Sequence, residues 1–153
     1  MIFESVAICQ YLLDRHPDSG LMPAVDSVRR GHFYQWLMYL NNLLQAETML
    51  YFYPYKYASQ THLLSLIKAM AEERVTKIFQ LLDTQLQQKS YLIGEQLSLC
   101  DILLFMVAHR ATEFKQPPLA MLNLSRYLKQ LAKHPAIERT YIKEGKSLAL
   151  YHQ

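Results

Sequence analysis

A chain of 153 residues, 51% apolar, 12% aromatic and 19% charged, can bury one compact core, which excludes a disordered or low-complexity segment. Sixteen Lys and Arg against thirteen Asp and Glu leave a net charge of +3, and the basic residues are scattered in ones and twos, so no stripe for nucleic acid is present. Four glycines fall far below the average usage of about 7%, and neither GxGxxG nor a GxxxxGKS/T loop occurs, which argues against phosphate-cradling loops and turn-rich β architectures.

The first segment, Ser5 to His16, places Val6, Ile8, Cys9, Leu12 and Leu13 on one broad helical face, and Pro17 stops it. After an irregular crossing from Asp18 to Pro23, a long helical pattern opens near Val25. It runs through Val28, Phe33, Trp36, Leu37, Leu40, Leu43 and Leu44 to about Met49 and on toward Pro54. A third helix, about His62 to Gln88, has the cleanest stripe: Ile67, Ala71, Val75, Ile78, Leu82 and Leu86, a buried face roughly 40 Å long. The fourth, about Ser98 to Glu113, is apolar almost all round from Ile102 to Ala108 and is predicted to lie at the centre of the core. Pro117-Pro118 breaks the pattern. It resumes from Leu119 to Lys133, and His134-Pro135 starts a last short helix through Ile142 that Gly145 closes.

Strand alternation is found nowhere after Phe3, so the prediction is an all-α domain of five or six helices. No apolar run reaches membrane-spanning length, and Met1-Ile2-Phe3-Glu4 lacks the basic start of a signal peptide. Cys9 and Cys100 stand far apart without a CxxC, which fits a reduced, cytoplasmic setting, and Cys9 reads as packing rather than as a nucleophile. The histidines at 16, 32, 62, 109, 134 and 152 show no HExxH spacing, so no metal site is expected. His109 reads as a hydrogen-bonded helix-end histidine, with a pH-active or ligand-binding role as the alternative. The pairs Arg29-Arg30 and Lys143 to Lys146 read as solvated faces.

The most informative local sequence is Gly94-Glu95-Gln96-Leu97-Ser98-Leu99-Cys100-Asp101-Ile102. Ser98 is placed to cap the fourth helix, Asp101 to reach back to the Ser98 amide, and Leu97 to meet Ile102 as a hydrophobic staple. A capping box alone says nothing about activity. Together with Gly94 it resembles the folding signature of the C-terminal helical domain of glutathione transferases. Helix order, Gln35-Trp36-Leu37, the stretch from Arg74 to Leu86 leading into Tyr91-Leu92-Ile93-Gly94, and Lys133-His134-Pro135-Ala136-Ile137 extend the resemblance over essentially the whole chain, toward a bacterial member of that family.

The resemblance implies an all-α, glutathione transferase C-terminal-like helical bundle over residues 24–153, preceded over residues 1–17 by the last helix of a thioredoxin-like domain. It also implies roles. Glu4-Ser5 matches the position that holds the γ-glutamyl end of glutathione, where unpaired helix amides and the positive dipole end favour a carboxylate and Glu4 can pair with an ammonium. The alternative is that Ser5 merely caps the helix. Tyr34, Met38 and Tyr39 are candidates for the wall of a hydrophobic-substrate pocket, or else ordinary core or dimer-contact residues. The run Tyr51-Phe52-Tyr53-Pro54-Tyr55-Lys56-Tyr57 reads first as a packed helix-end cluster.

Thiol activation falls in the family to a Tyr, Ser or Cys near the start of the thioredoxin-like domain, which has no counterpart here, so no catalytic residue is nominated. The resemblance therefore points to the C-terminal portion of a protein that conjugates glutathione, as substrate and not cofactor, to small hydrophobic electrophiles, with these 153 residues inactive alone. A homodimer through the second and third helices is implied, with no nucleic-acid or membrane partner. The rival reading is a non-catalytic helical binding or assembly module derived from that domain, or a store for hydrophobic small molecules. Its first helix would expose an uncovered apolar face and promote self-association.

Overall fold

The computed structural model describes residues 1–153 and is all-helical. Seven α-helical segments follow in order: α1 (Ser5–Arg15), α2 (Val28–Tyr39), α3 (Ala46–Phe52), α4 (Thr61–Gln85), α5 (Leu99–Arg110), α6 (Leu122–Ala132) and α7 (Pro135–Lys143). A π-helical stretch, Leu40–Gln45, joins α2 to α3 without a break, so the two run as one long bent helix that ends before Pro54.

The start of α2 differs from the sequence expectation. Val25 and Val28 are fully exposed, and the helix begins only at Val28, because the Ser27 hydroxyl accepts from the Arg29 amide at 3.2 Å and fixes the first turn. Past it, Phe33, Leu37, Leu40 and Leu44 face inward and are fully buried, whereas Leu43 is exposed. On α4 the predicted stripe holds at Ala71, Val75, Leu82 and Leu86, and Phe79 joins it, while Ile67 and Ile78 lie at its half-buried edge.

The central helix is α5, whose Cys100, Leu104, Phe105, Val107 and Ala108 are enclosed by α2, the π stretch and α6. Its enclosure is incomplete. Met106 is 42% exposed and Ile102 half-buried, so this edge opens into a cleft of about 270 Å³ against Ile137 and Tyr141 of α7. The crossing segment before α2 is bound to α5, since the Leu99 amide donates to the Leu21 carbonyl at 2.9 Å. Gly94 takes φ +71° in the turn before α5, a left-handed backbone conformation that favours glycine. A short helical turn at Ala149–Tyr151, not foreseen from the sequence, tucks the Tyr151 ring into the core.

Candidate functional site

Two polar centres stand out, and they differ in how completely their hydrogen bonds are met. The first lies at the start of α5. Ser98 and Asp101 form a reciprocal capping box. The fully buried Asp101 carboxylate accepts from the Ser98 amide at 2.7 Å, the Ser98 hydroxyl at 2.6 Å, the Leu92 amide at 2.8 Å and the Tyr127 hydroxyl at 2.5 Å. Burial, and then the Asp101 charge, push the Tyr127 phenol far above its ordinary range, so it stays a donor. Leu97 and Ile102, the expected staple, line the same cleft at the helix start. The links to Leu92 and Tyr127 join α5 to the preceding loop and to α6. With all its acceptors engaged, this centre holds the fold and has nothing to offer a ligand.

The second centre is open. Glu4 is the residue before α1 and adopts φ 70°, ψ 115°, a conformation that costs a non-glycine residue about 1–3 kcal/mol. Neither Glu4 nor Ser5 caps the helix through its side chain, so the reading of Ser5 as a simple cap is set aside. The first amide with a backbone partner is that of Ile8, bonded to Glu4 O at 3.0 Å, which leaves the amides of Ser5, Val6 and Ala7 without backbone acceptors. Glu4 and Ser5 are both exposed beside them.

The candidate pocket residues of α2 do not stay together. Tyr34 and Met38, one turn apart, share an outward face and are 43% and 41% exposed. Tyr39 points away from them. Its ring meets the Trp36 ring edge-on at 5.6 Å, and partial burial raises its phenol above the ordinary value. Further along the same helix, inside the π stretch, Gln45 holds a buried Oε1 with no hydrogen-bond partner, a feature no sequence signal announced.

Arg30 overturns the reading of Arg29-Arg30 as a solvated pair. Its side chain is only 12% exposed and joins three segments. Nη1 donates to the Pro23 carbonyl at 2.6 Å, Nε donates to the Tyr34 hydroxyl at 2.8 Å, and Nη2 lies 3.5 Å from the Asp14 carboxylate of α1. The guanidinium also sits 5.2 Å from the centroid of the Tyr34 ring.

The remaining reactive side chains, Cys9 apart, are occupied. The Cys100 thiol is buried, contacts the Phe33 carbonyl at 3.5 Å and is pushed up by desolvation, so it is no nucleophile. Cys9 is half-buried within α1. His109 Nδ1 lies 3.2 Å from the Tyr151 hydroxyl and its ring packs against Phe105 and Tyr141, with protonation held below the ordinary value by burial and then by Lys146. No cluster of His, Cys, Asp and Glu could hold a metal ion, and no helix is long and apolar enough to cross a membrane.

Residues 45–135 match the family model for the glutathione S-transferase C-terminal domain. Among curated proteins the chain is similar to glutathione S-transferase GstA of Escherichia coli O157:H7, at 24% identity over 145 residues, covering 95% of this chain and 69% of that one. Among solved structures it is similar to a sphingomonad glutathione S-transferase complexed with glutathione, at 27% identity and a TM-score of 0.81, and to a bacterial beta-class glutathione S-transferase of Sphingomonas chungbukensis, at 25% and 0.80. Each covers 95% of this chain and 69% of the other.

Proposed function

Because the chain belongs to the glutathione S-transferase family through its C-terminal domain, we propose that it forms the helical portion of an enzyme that conjugates glutathione to small hydrophobic electrophiles. In this reading residues 24–153 are the helical domain and residues 1–17 belong to the glutathione-holding half, a thioredoxin-like domain of which α1 is the last helix. The γ-glutamyl carboxylate of glutathione accepts from the open amides of Ser5, Val6 and Ala7 and from the Ser5 hydroxyl, and Glu4 pairs with its ammonium. Tyr34 and Met38 offer an apolar wall with one hydroxyl to the electrophile. In the reaction the glutathione thiolate attacks the electrophilic carbon and the leaving group departs with its electron pair. No side chain among these 153 residues is assigned to forming that thiolate.

The observation that carries the reading is the strained Glu4 before an uncapped helix start. A non-glycine residue at φ 70° carries strain, and here it falls at the residue that precedes three amides without backbone acceptors. Leu66 and Met70, exposed one turn apart on the first half of α4, support a homodimer with the long α2–α3 helix as neighbour. A cytoplasmic location fits both cysteines being free.

The test follows amide NMR signals of the 153-residue chain during a glutathione titration, beside an assay of conjugation to a chromogenic electrophile. The reading expects shifts confined to Ser5–Ala7 and negligible turnover from these residues alone, with no retention on immobilised glutathione. A longer product extended upstream should turn over. Turnover by the 153 residues comparable to an intact transferase would overturn this account of where the chemistry lies.

A further inference from the structure

We propose that Arg30 is a positioning residue that couples the two halves of the substrate site, fixing the glutathione end of α1 relative to the electrophile face of α2. The proposal rests on the function proposed above and adds a residue to it that touches neither ligand.

Three observations carry it. First, the polar attachment of α1 to the helical bundle runs through this one side chain. Of the four ion pairs in the chain, only Asp14–Arg30 leaves α1, and the one side-chain hydrogen bond of α1, Arg15 to Tyr11, is internal. The rest of its docking is apolar and slight, since only Val6 and Leu13 of α1 are buried. A helix held by two apolar side chains can roll, and a guanidinium that grips it from a neighbouring helix removes that freedom.

Second, the same guanidinium holds the electrophile face. It donates to the Tyr34 hydroxyl oxygen at 2.8 Å and lies against the ring, which fixes the side chain and leaves the hydroxyl proton to be donated outward. Third, the bond to the Pro23 carbonyl at 2.6 Å anchors the crossing segment between the two helices, so Arg30 is itself immobile. Two hydrogen bonds and an ion pair in three directions match a planar fork. A lysine ammonium on a flexible stem does not reproduce that geometry.

The exposed Asp14 contact alone would be worth little. It is the sharing of one immobile guanidinium that links the ends of the site. A displacement of about 1 Å between reacting partners can cost about a hundredfold in rate, so a fixed α1–α2 geometry is a requirement of the chemistry.

The test compares wild type, Arg30→Met and Arg30→Lys of the full chain by amide hydrogen exchange and by NMR titration with glutathione. Arg30→Met should speed exchange of the α1 amides by about three- to fivefold while leaving the amides of Leu104 and Tyr127 unchanged, and should weaken the glutathione shifts at Ser5–Ala7 by a similar factor. Arg30→Lys should fall between. The proposal is overturned if Arg30→Met leaves α1 exchange and the glutathione shifts at wild-type values, if α1 and the core loosen together, or if Arg30→Lys matches wild type. Absence of any glutathione shift in the wild-type protein would overturn the underlying function and this proposal with it, and that outcome is read separately from the exchange of α1.

Discussion

Replacing Asp101 with alanine tests whether the polar centre at the start of α5 is what ties the helices together. The carboxylate is fully buried and accepts four hydrogen bonds, three of them from donors with no other acceptor at hand: the Leu92 amide, the Ser98 amide and the Tyr127 hydroxyl. Alanine strands all three inside the protein. Each buried donor without a partner costs about 1–3 kcal/mol, so the loss is expected at about 4 kcal/mol or more. A domain of this size is stable by only about 5–15 kcal/mol, so much of the total is removed. Asp101→Asn keeps one acceptor for Leu92 and Tyr127 but turns a donor toward the Ser98 amide, and should cost about 1–3 kcal/mol. Urea unfolding followed by far-ultraviolet circular dichroism, at several protein concentrations to separate self-association, gives both values. Tyr127→Phe combined with Asp101→Ala should fall short of additivity by about 1 kcal/mol or more, because the two share a bond. A loss below about 1 kcal/mol for Asp101→Ala would refute the idea that this carboxylate organises the fold.

Glu4→Gly should relieve the φ 70° strain and raise the melting midpoint by about 2–4 °C, about 1 kcal/mol, while abolishing the glutathione shifts at Ser5–Ala7; a fall in the midpoint on calorimetry would show that Glu4 is structural. Burial holds His109 protonation below its ordinary value, so below about pH 6.5 the unfolded chain binds a proton the folded chain does not, and stability declines as pH falls. His109→Gln should therefore show a smaller drop in midpoint between pH 7.5 and pH 5.5 than wild type, and identical drops would contradict the sign. Ellman's reagent should label one thiol per native chain, Cys9, and reach Cys100 only on unfolding; rapid labelling of both would show that α5 opens far more readily than its packing suggests.

Much of the fold was legible because it repeats. The α4 stripe and the apolar run of α5 state their burial directly, and Ser98 with Asp101 marks the start of α5 by local chemistry that needs no tertiary partner. What was hidden lay in contacts between distant residues or in small changes of phase. Nothing near Asp101 indicates that Tyr127, 26 residues on, completes its shell. The π stretch at Leu40–Gln45 leaves the apolar spacing of a long helix nearly intact, so it is invisible as a pattern and appears only as an unpartnered Gln45 oxygen. Val25 and Val28 looked like the first core positions, yet the Ser27 cap decides where the helix begins and leaves both in solvent. Arg30, one of two adjacent arginines, has a sequence context indistinguishable from that of exposed Arg29, and only its contacts with Asp14, Pro23 and Tyr34 separate a half-buried fork from a solvated charge. Tyr34 and Tyr39 were grouped as pocket residues by type, and helical geometry parts them, because five residues turn a side chain well away from its predecessor.

The contrast between the two polar centres is a physical criterion for separating fold from function in this chain. Buried polar groups that have all found partners lower the energy of one structure and leave nothing for a ligand to gain. Amides left open at an exposed helix start are completed from outside the chain, by water or by a ligand. Asp101 is of the first kind, with four donors on two oxygens. The start of α1 is of the second kind, with a strained Glu4 and three open amides, and the Gln45 oxygen is another unpartnered group on the helix that carries Tyr34 and Met38. The difference between the two kinds is one of hydrogen-bond completeness, so substitutions at Asp101 should alter stability first and affinity only through it. Those at Glu4 should alter affinity while stability holds or rises.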